Sequence, residues 1–393
     1  MSNVTRSHIV STSLAIFSML FGAGNLMYPI KVGMISGQHN LIGFLGFLIT
    51  AVFLPLTGLV GMILFDGDYN AFFGRLGSRA GKIMIGLCMI ILGPLIALPR
   101  IVSVAQVMIE PFLPFAILKG TDPFSLLVFS LIFLSLTFLC AFKENSIMDI
   151  LGYVISPLLL ISLTTIIIKG FIGATAPIVV AENPWNLFKL NLIRGYGTLD
   201  LLGTIFFASI VVNILKNKMP KSTPINVLAL FGLKAGFIGV GLLGLVYFGQ
   251  SFLGAYYGAG LEIFNDGQAF RTIVFTIVGS YGAAIVAIAV LMACFSTSIA
   301  LSAVVGDYFQ KSICNNKIGY VTALTVILSA SVPLSIYGLD AVLALTGGPI
   351  TYIGYPILIS VTFCNIAYKL VGFKPIKMPV AFVGLVALIS YYI

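Results

Sequence analysis

Apolar runs of 16 to 37 residues, separated by short polar turns, follow one another from Ile9 to Ile393. A run of about 20 mostly apolar residues makes a helix long enough to cross the ~30 Å hydrocarbon core of a bilayer. The charged residues leave no other way to cover these runs. They make up 8% of the chain, against roughly a quarter in soluble domains, whose surfaces must face water. The chain therefore reads as an all-α, polytopic integral membrane protein, which excludes soluble enzymes and nucleic-acid binders. Its formal charge of +9 needs no polyanionic partner, because membrane proteins hold excess Lys and Arg in cytoplasmic loops.

The five cysteines (Cys88, Cys140, Cys294, Cys314 and Cys364) fall mostly within apolar runs, and none pair at CxxC spacing. A disulfide framework or a zinc site is not expected. The two histidines, His8 and His39, lie at the edges of the first run and give no basis for a buried catalytic or metal centre. We expect no enzyme and no cofactor. Arg6 followed by apolar residues from Ile9 has the outline of a signal peptide, but the run continues to Val32 without an A-x-A site. It reads as a retained first span.

The expected spans are 9–33, 41–65, 83–110, 124–142, 148–168, 196–215, 225–253, 272–308, 318–336, 340–366 and 378–393, eleven in all. The eighth would be about 55 Å long as a single helix, so its start, around Gly279-Ser280-Tyr281-Gly282, is expected to lie at the interface or to open a strongly tilted helix. With the N-terminus inside, 13 basic residues fall on the cytoplasmic side and 6 outside, while Arg100 and Lys234 lie within spans. That asymmetry, carried by short inner loops such as 75–82 and 216–221, places the N-terminus in the cytoplasm. A connection at 169–195, with turns at Ala176-Pro177 and Asn183-Pro184, divides the single transmembrane domain 1–393. Five spans precede it (9–168) and five follow (196–366), with 378–393 as an additional helix. Because five is odd, the second block enters from the opposite side, as in inverted-repeat transporters.

Span one contains Phe21-Gly22-Ala23-Gly24-Asn25-Leu26-Met27-Tyr28-Pro29, with its glycines about 20–24 Å from the inner end. Glycine permits unwinding and close approach of a ligand to backbone. Pro29 suits the first turns of a new half-helix better than the interior of a continuous one. Helix-packing motifs want small residues four apart, and Gly22 and Gly24 are two apart. Bare peptide groups at this depth are tolerated only around a polar cavity. There, carbonyls can take a cation or ammonium and the amides of the outer half-helix can take a carboxylate. The expected ligand is a zwitterion with a cation beside it.

The stretch from Phe21 to Pro29 resembles the signature of the bacterial branched-chain amino acid:cation symporter family. Further similar segments are Gly93-Pro94-Leu95-Ile96-Ala97-Leu98-Pro99-Arg100, Gly195-Tyr196-Gly197-Thr198-Leu199-Asp200, Ile210-Val211-Val212-Asn213 and Ala293-Cys294-Phe295-Ser296-Thr297. They occur in order along most of the chain. The resemblance implies the leucine-transporter fold of the amino acid–polyamine–cation superfamily, a 5+5 inverted repeat with broken helices one and six. Family members usually have twelve spans, one more than expected here. By this resemblance the second break falls near Phe206–Ser209, and the substrate site comprises Leu20, Gly22, Ala23, Gly24, Asn25, Phe206, Phe207 and Ser209.

The resemblance also implies a sodium site at Ser18, Phe21, Ala293, Ser296 and Thr297. Depth agrees: Ser18 and Phe21 lie about 14 and 18 Å from the inner end of span one, and Ser296 and Thr297 about 18 and 17 Å from the same face on span eight. Two hydroxyls and three carbonyls would then supply five oxygens. The plain alternative is that these hydroxyls bond back to carbonyls one turn earlier. Arg100 is expected either to snorkel to the outer interface or to form an outer gate with Asp200. Thr346-Gly347-Gly348-Pro349 lacks the Lys-Ser/Thr of a nucleotide-binding loop. The expected function is sodium-coupled uptake of Leu, Ile or Val, with Met a further candidate, across the bacterial inner membrane. Proton coupling is the alternative, and a channel a more distant one.

Overall fold

The computed structural model describes residues 5–22, 24–142, 147–218 and 225–392. Among them every regular element is helical. In chain order they are α1 (Thr5–Leu20), α2 (Gly24–Ser36), α3 (Asn40–Leu48), α4 (Leu54–Leu64), α5 (Tyr69–Gly74), α6 (Ser78–Ile90), α7 (Ala97–Ile109), α8 (Pro123–Ala141), α9 (Ile147–Gly173), α10 (Pro184–Arg194), α11 (Asp200–Lys218), α12 (Ile225–Tyr257), α13 (Asp266–Tyr308), α14 (Tyr320–Ile336), α15 (Gly338–Leu345), α16 (Tyr355–Val371) and α17 (Lys377–Tyr392). Seven of the resulting helical stretches are long and apolar enough to cross a membrane, and four shorter apolar helices accompany them.

Local chemistry sets the helix starts. Asp122 accepts from Ser125 N to cap α8, Asn183 accepts from Trp185 N to cap α10, and Asn265 forms a capping box with Gln268 at α13. Each cap satisfies amides that have no partner within the helix. Several long helices are interrupted rather than straight. Wide π-helical turns join α3 to α4 at Ile49–Phe53 and α6 to α7 at Ile91–Leu95, the latter carrying Gly93-Pro94. The expected irregularity in the eighth span is a backbone departure at Gly279 (φ 68°, ψ −177°) within the otherwise helical α13.

Two helices are broken outright. The first is α1–α2, which separates at Phe21-Gly22, as expected. The second is α10–α11. After Arg194 the chain makes a 3-10 turn over Gly195–Thr198, and Leu199 adopts a left-handed conformation (φ 64°) before α11 begins. This corrects two expectations. The connection at 169–195 is not all turn, because α9 runs to Gly173 and α10 occupies its second half. The break does not fall at Phe206–Ser209, which lies inside α11.

The core forms where the broken helices meet their neighbours. α2 packs chiefly on α12, and α10 packs on α3. Gly33 and Gly254 permit the first approach: a Cβ on either would run into the carbonyl of Ser251 or Ile30 on the facing helix. Polar contacts flank the second, from the turn after α3 and from the end of α2. Thr50 Oγ1 donates to Leu192 O (2.7 Å), and Asn191 Nδ2 donates to Ser36 Oγ (2.9 Å).

Candidate functional site

At the first break two amides leave the helical pattern. Gly22 N donates to Leu20 O (2.8 Å) and Asn25 N to Gly22 O (3.1 Å). In an unbroken helix those amides would go to the carbonyls of Ser18 and Phe21. The Asn25 side chain spans the gap: its Nδ2 donates to Leu20 O (2.6 Å) and to Asp200 Oδ1 (3.0 Å). Both partners are acceptors, which fixes the orientation of the amide.

Asp200 is the first residue of α11 and is 4% exposed. Its second oxygen accepts from Tyr247 Oη on α12 (2.7 Å). The two breaks therefore face each other, tied through Asn25 and Asp200 and braced by Tyr247. Arg100, on α7, completes the arrangement. It is 5% exposed and donates to Gly197 O (2.6 Å) and Thr198 O (3.2 Å), carbonyls of the second break. Its guanidinium lies so close to Gly24 that a Cβ there would be 2.8 Å from Cζ. Arg100 does not snorkel. Nor is it paired with Asp200 as a gate: neither residue takes part in the ion pairs among the described residues, which are Lys31–Asp266, Lys216–Asp66, Arg271–Glu110 and Lys311–Asp307.

A cavity of about 50 Å³ opens between the breaks. Four of the residues expected around a substrate, Leu20, Gly22, Asn25 and Phe207, line it. Arg100, Asp200, Thr198 and Gly203 also line it, and Leu92, Ile101 and Leu301 supply apolar wall. Three expected residues do not. Gly24 turns toward Arg100 instead. The Phe206 ring packs against Tyr69 and Phe73, and Ser209 donates to Phe206 O within α11, beside Gly67. With the break at 195–199, this stretch is regular helix: Phe206 and Ser209 stand on the face of α11 toward Tyr69, Phe73 and Gly67, and Phe207 stands on the face toward the cavity. Ala23 lies outside the described residues.

A second cavity, of about 10 Å³, is lined by Phe17, Ser18, Phe21, Leu159, Ala293, Ser296 and Thr297. That volume is about what one water-sized particle requires. All five residues expected around a cation stand at this one point, and the agreement in depth between α1 and α13 survives in three dimensions. Thr297 Oγ1 also donates to Ala293 O (3.0 Å), the back-bond that was the plain alternative. That back-bond does not exclude a cation, because the hydroxyl gives its one proton to the carbonyl and keeps oxygen lone pairs. Thr297 lines both cavities.

The sequence profile of the branched-chain amino acid transport proteins matches residues 5–392. The chain belongs to this family. Its relatives include the branched-chain amino acid transport system 3 carrier protein of Pseudomonas aeruginosa, 27% identical over 363 residues, which covers 91% of this chain and 80% of that one. The branched-chain amino acid permease BraB of Bacillus subtilis is 29% identical over 366 residues, covering 90% and 79%. Among solved structures, the inward-facing conformation of Mhp1 superposes with a TM-score of 0.66 at 15% identity, covering 94% of this chain and 78% of that one. The Eremococcus coleocola manganese transporter gives 0.59 at 13% identity, covering 98% and 86%. These two show the fold: the leucine-transporter arrangement with broken first and sixth helices. The branched-chain amino acid transport family is one of membrane transporters and permeases, not enzymes, and this member is a multi-pass membrane protein.

Proposed function

We propose that this family member imports branched-chain amino acids across the bacterial cytoplasmic membrane by sodium-coupled symport and alternating access, with its N-terminus in the cytoplasm. Residues 9–168 form one repeat. The other, extended to begin at Pro184, runs to 366 in the inverted sense, and α17 is an accessory helix. The amino acid occupies the cavity between the breaks, and sodium occupies the smaller one. Leucine, isoleucine and valine are the primary substrates, with methionine a further one.

One observation carries this reading: Thr297 and the Phe21-Gly22 turn stand between the two cavities, so an ion in one and a ligand in the other press on the same backbone. An ion that orders Ser18, Phe21, Ala293, Ser296 and Thr297 around itself fixes the turn from which the substrate site is built. Affinity for each ligand then rises in the presence of the other, by the same factor in both directions.

The test is leucine uptake into proteoliposomes with sodium and pH gradients imposed separately. Sodium-driven accumulation above the outside concentration supports the proposal and excludes a channel. Accumulation driven by pH alone would favour proton coupling, in which case the Thr297–Ala293 bond is only a helix back-bond.

A further inference from the structure

We propose that Asp200 and Arg100 form a charge clamp for the head group of a free amino acid, Asp200 taking the ammonium and the Nε–H of Arg100 taking a carboxylate oxygen. This rests on the reading of the central cavity as the substrate site. It goes beyond that reading by assigning both charges of the zwitterion to side chains rather than to bare backbone.

Three observations carry it. Asp200 lines the cavity, and its neighbours leave it room for a cation: Asn25 occupies one oxygen and Tyr247 the other, whereas a carboxylate offers about four acceptor positions. Arg100 lines the same cavity. Two of its nitrogens are committed to Gly197 O and Thr198 O, but its Nε has no partner although the side chain is 5% exposed. A buried donor without an acceptor is costly. Finally, these opposite charges share one small cavity without forming an ion pair with each other. Charges held out of water need compensation, and a ligand bearing one charge of each sign on groups attached to the same carbon compensates both. A free α-amino acid is such a ligand; an amine, an acid or a peptide-bonded residue is not.

The apolar wall agrees with this assignment. Met19, Leu92, Ile101, Phe207 and Leu301 line the same cavity as the two charges, so it offers hydrocarbon to a side chain extending from the clamped head group. Gly24 is explained as well: a side chain there would push against the guanidinium, so its bare surface seats Arg100.

The experiment measures equilibrium binding to purified protein in nanodiscs at saturating sodium. The ligands are leucine, 4-methylpentanoate (leucine without its ammonium) and 3-methylbutylamine (leucine without its carboxylate). Unmodified protein should bind leucine at least about thirtyfold more tightly than either analogue, since each leaves one buried charge unpaired. Asp200→Asn should lose most of its leucine affinity while binding 4-methylpentanoate as well as before or better. Asp200→Glu should restore part of the preference for leucine. Arg100→Lys, which keeps the charge but removes the Nε donor, should weaken leucine and leave 3-methylbutylamine unchanged. Leucine binding by Asp200→Asn within about twofold of the unmodified protein overturns the clamp, as does equal weakening of leucine and 4-methylpentanoate, the mark of a structural role. If a variant does not fold, the unmodified protein still decides: equal affinity for leucine and 4-methylpentanoate overturns the proposal. Unmodified protein that binds no leucine, isoleucine or valine overturns the functional reading and the clamp with it.

Discussion

Thr297 carries the most consequence for its size, because its side chain borders both cavities. With Ser296 it supplies the only side-chain oxygens besides Ser18 among the residues lining the smaller one. Replacing both (Ser296→Ala plus Thr297→Ala) should raise the sodium concentration for half-maximal leucine binding by about tenfold or more, while leucine affinity at saturating sodium recovers. Sodium titration of leucine binding checks this, and an unchanged midpoint in folded protein would remove the cation assignment. Gly24 makes a different prediction. A methyl group there would stand 2.8 Å from Arg100 Cζ, so Gly24→Ala must displace the guanidinium. Overpacking of this kind costs roughly 1–3 kcal/mol. Thermal unfolding should show that loss, and leucine binding should weaken with it through Arg100, without any contact between residue 24 and ligand.

The two breaks show what the sequence reveals about an element and what it conceals. The first was legible because Gly22-Ala23-Gly24-Asn25 interrupts an apolar run and Pro29 follows. The second carries the same device in Gly195-Tyr196-Gly197-Thr198, glycines two apart followed by a polar residue, but it stands next to a segment that does not look like membrane. Pro184–Arg194 includes Asn186, Lys189, Asn191 and Arg194. It forms the first half of a broken helix because one face of it packs on α3: Leu187 and Asn191 are buried, and hydrogen bonds to Thr50 and Ser36 replace hydropathy. A hydropathy reading therefore starts the sixth helix too late, at 196, and the break that the resemblance implies at Phe206–Ser209 lies about two turns too far in. The charged pair at the site was misread for the same reason, since Asp200 then lay near the outer surface instead of at the break. The contact between the breaks can be tested directly. A Cβ at Gly197 would collide with the ring of Tyr28 on α2, so Gly197→Ala should destabilise the protein by about 1–3 kcal/mol. Combined with Tyr28→Ala, the loss should be smaller than the sum of the two single losses, because the second change opens the space the first one fills. Additive losses in thermal unfolding would mean that the breaks do not touch there.

For the molecule as a whole, the alternating access proposed above requires that the two ends of the bundle be closed by separate contacts, each removable without the other. At the end away from the N-terminus, Lys31 of α2 pairs with Asp266 of α13 (3.2 Å), with side chains 21% and 14% exposed. At the N-terminal end, Arg75 follows α5 and donates to Cys364 O, Asn365 Oδ1, Phe373 O and Lys374 O, and its guanidinium lies 3.9 Å from the centre of the Tyr368 ring. It thereby ties the loop before α6 to the junction between α16 and α17. The pair Lys216–Asp66 at the same end is about half exposed, and such pairs contribute little. Arg75 is therefore the contact to remove there, and Lys31 the one to remove at the other end. A partly buried pair contributes about 1 kcal/mol, which shifts a two-state equilibrium about fivefold. Lys31→Met should accordingly increase the population with α2 and α13 separated at their far ends. Arg75→Ala should increase the population with α5 and α16 separated, and leave the far end as it was. Distances between spin labels placed across each end, measured with and without leucine, check both expectations. Widening of the same end by both variants would show that the two contacts belong to one rigid body, and the alternation would then have to pivot elsewhere.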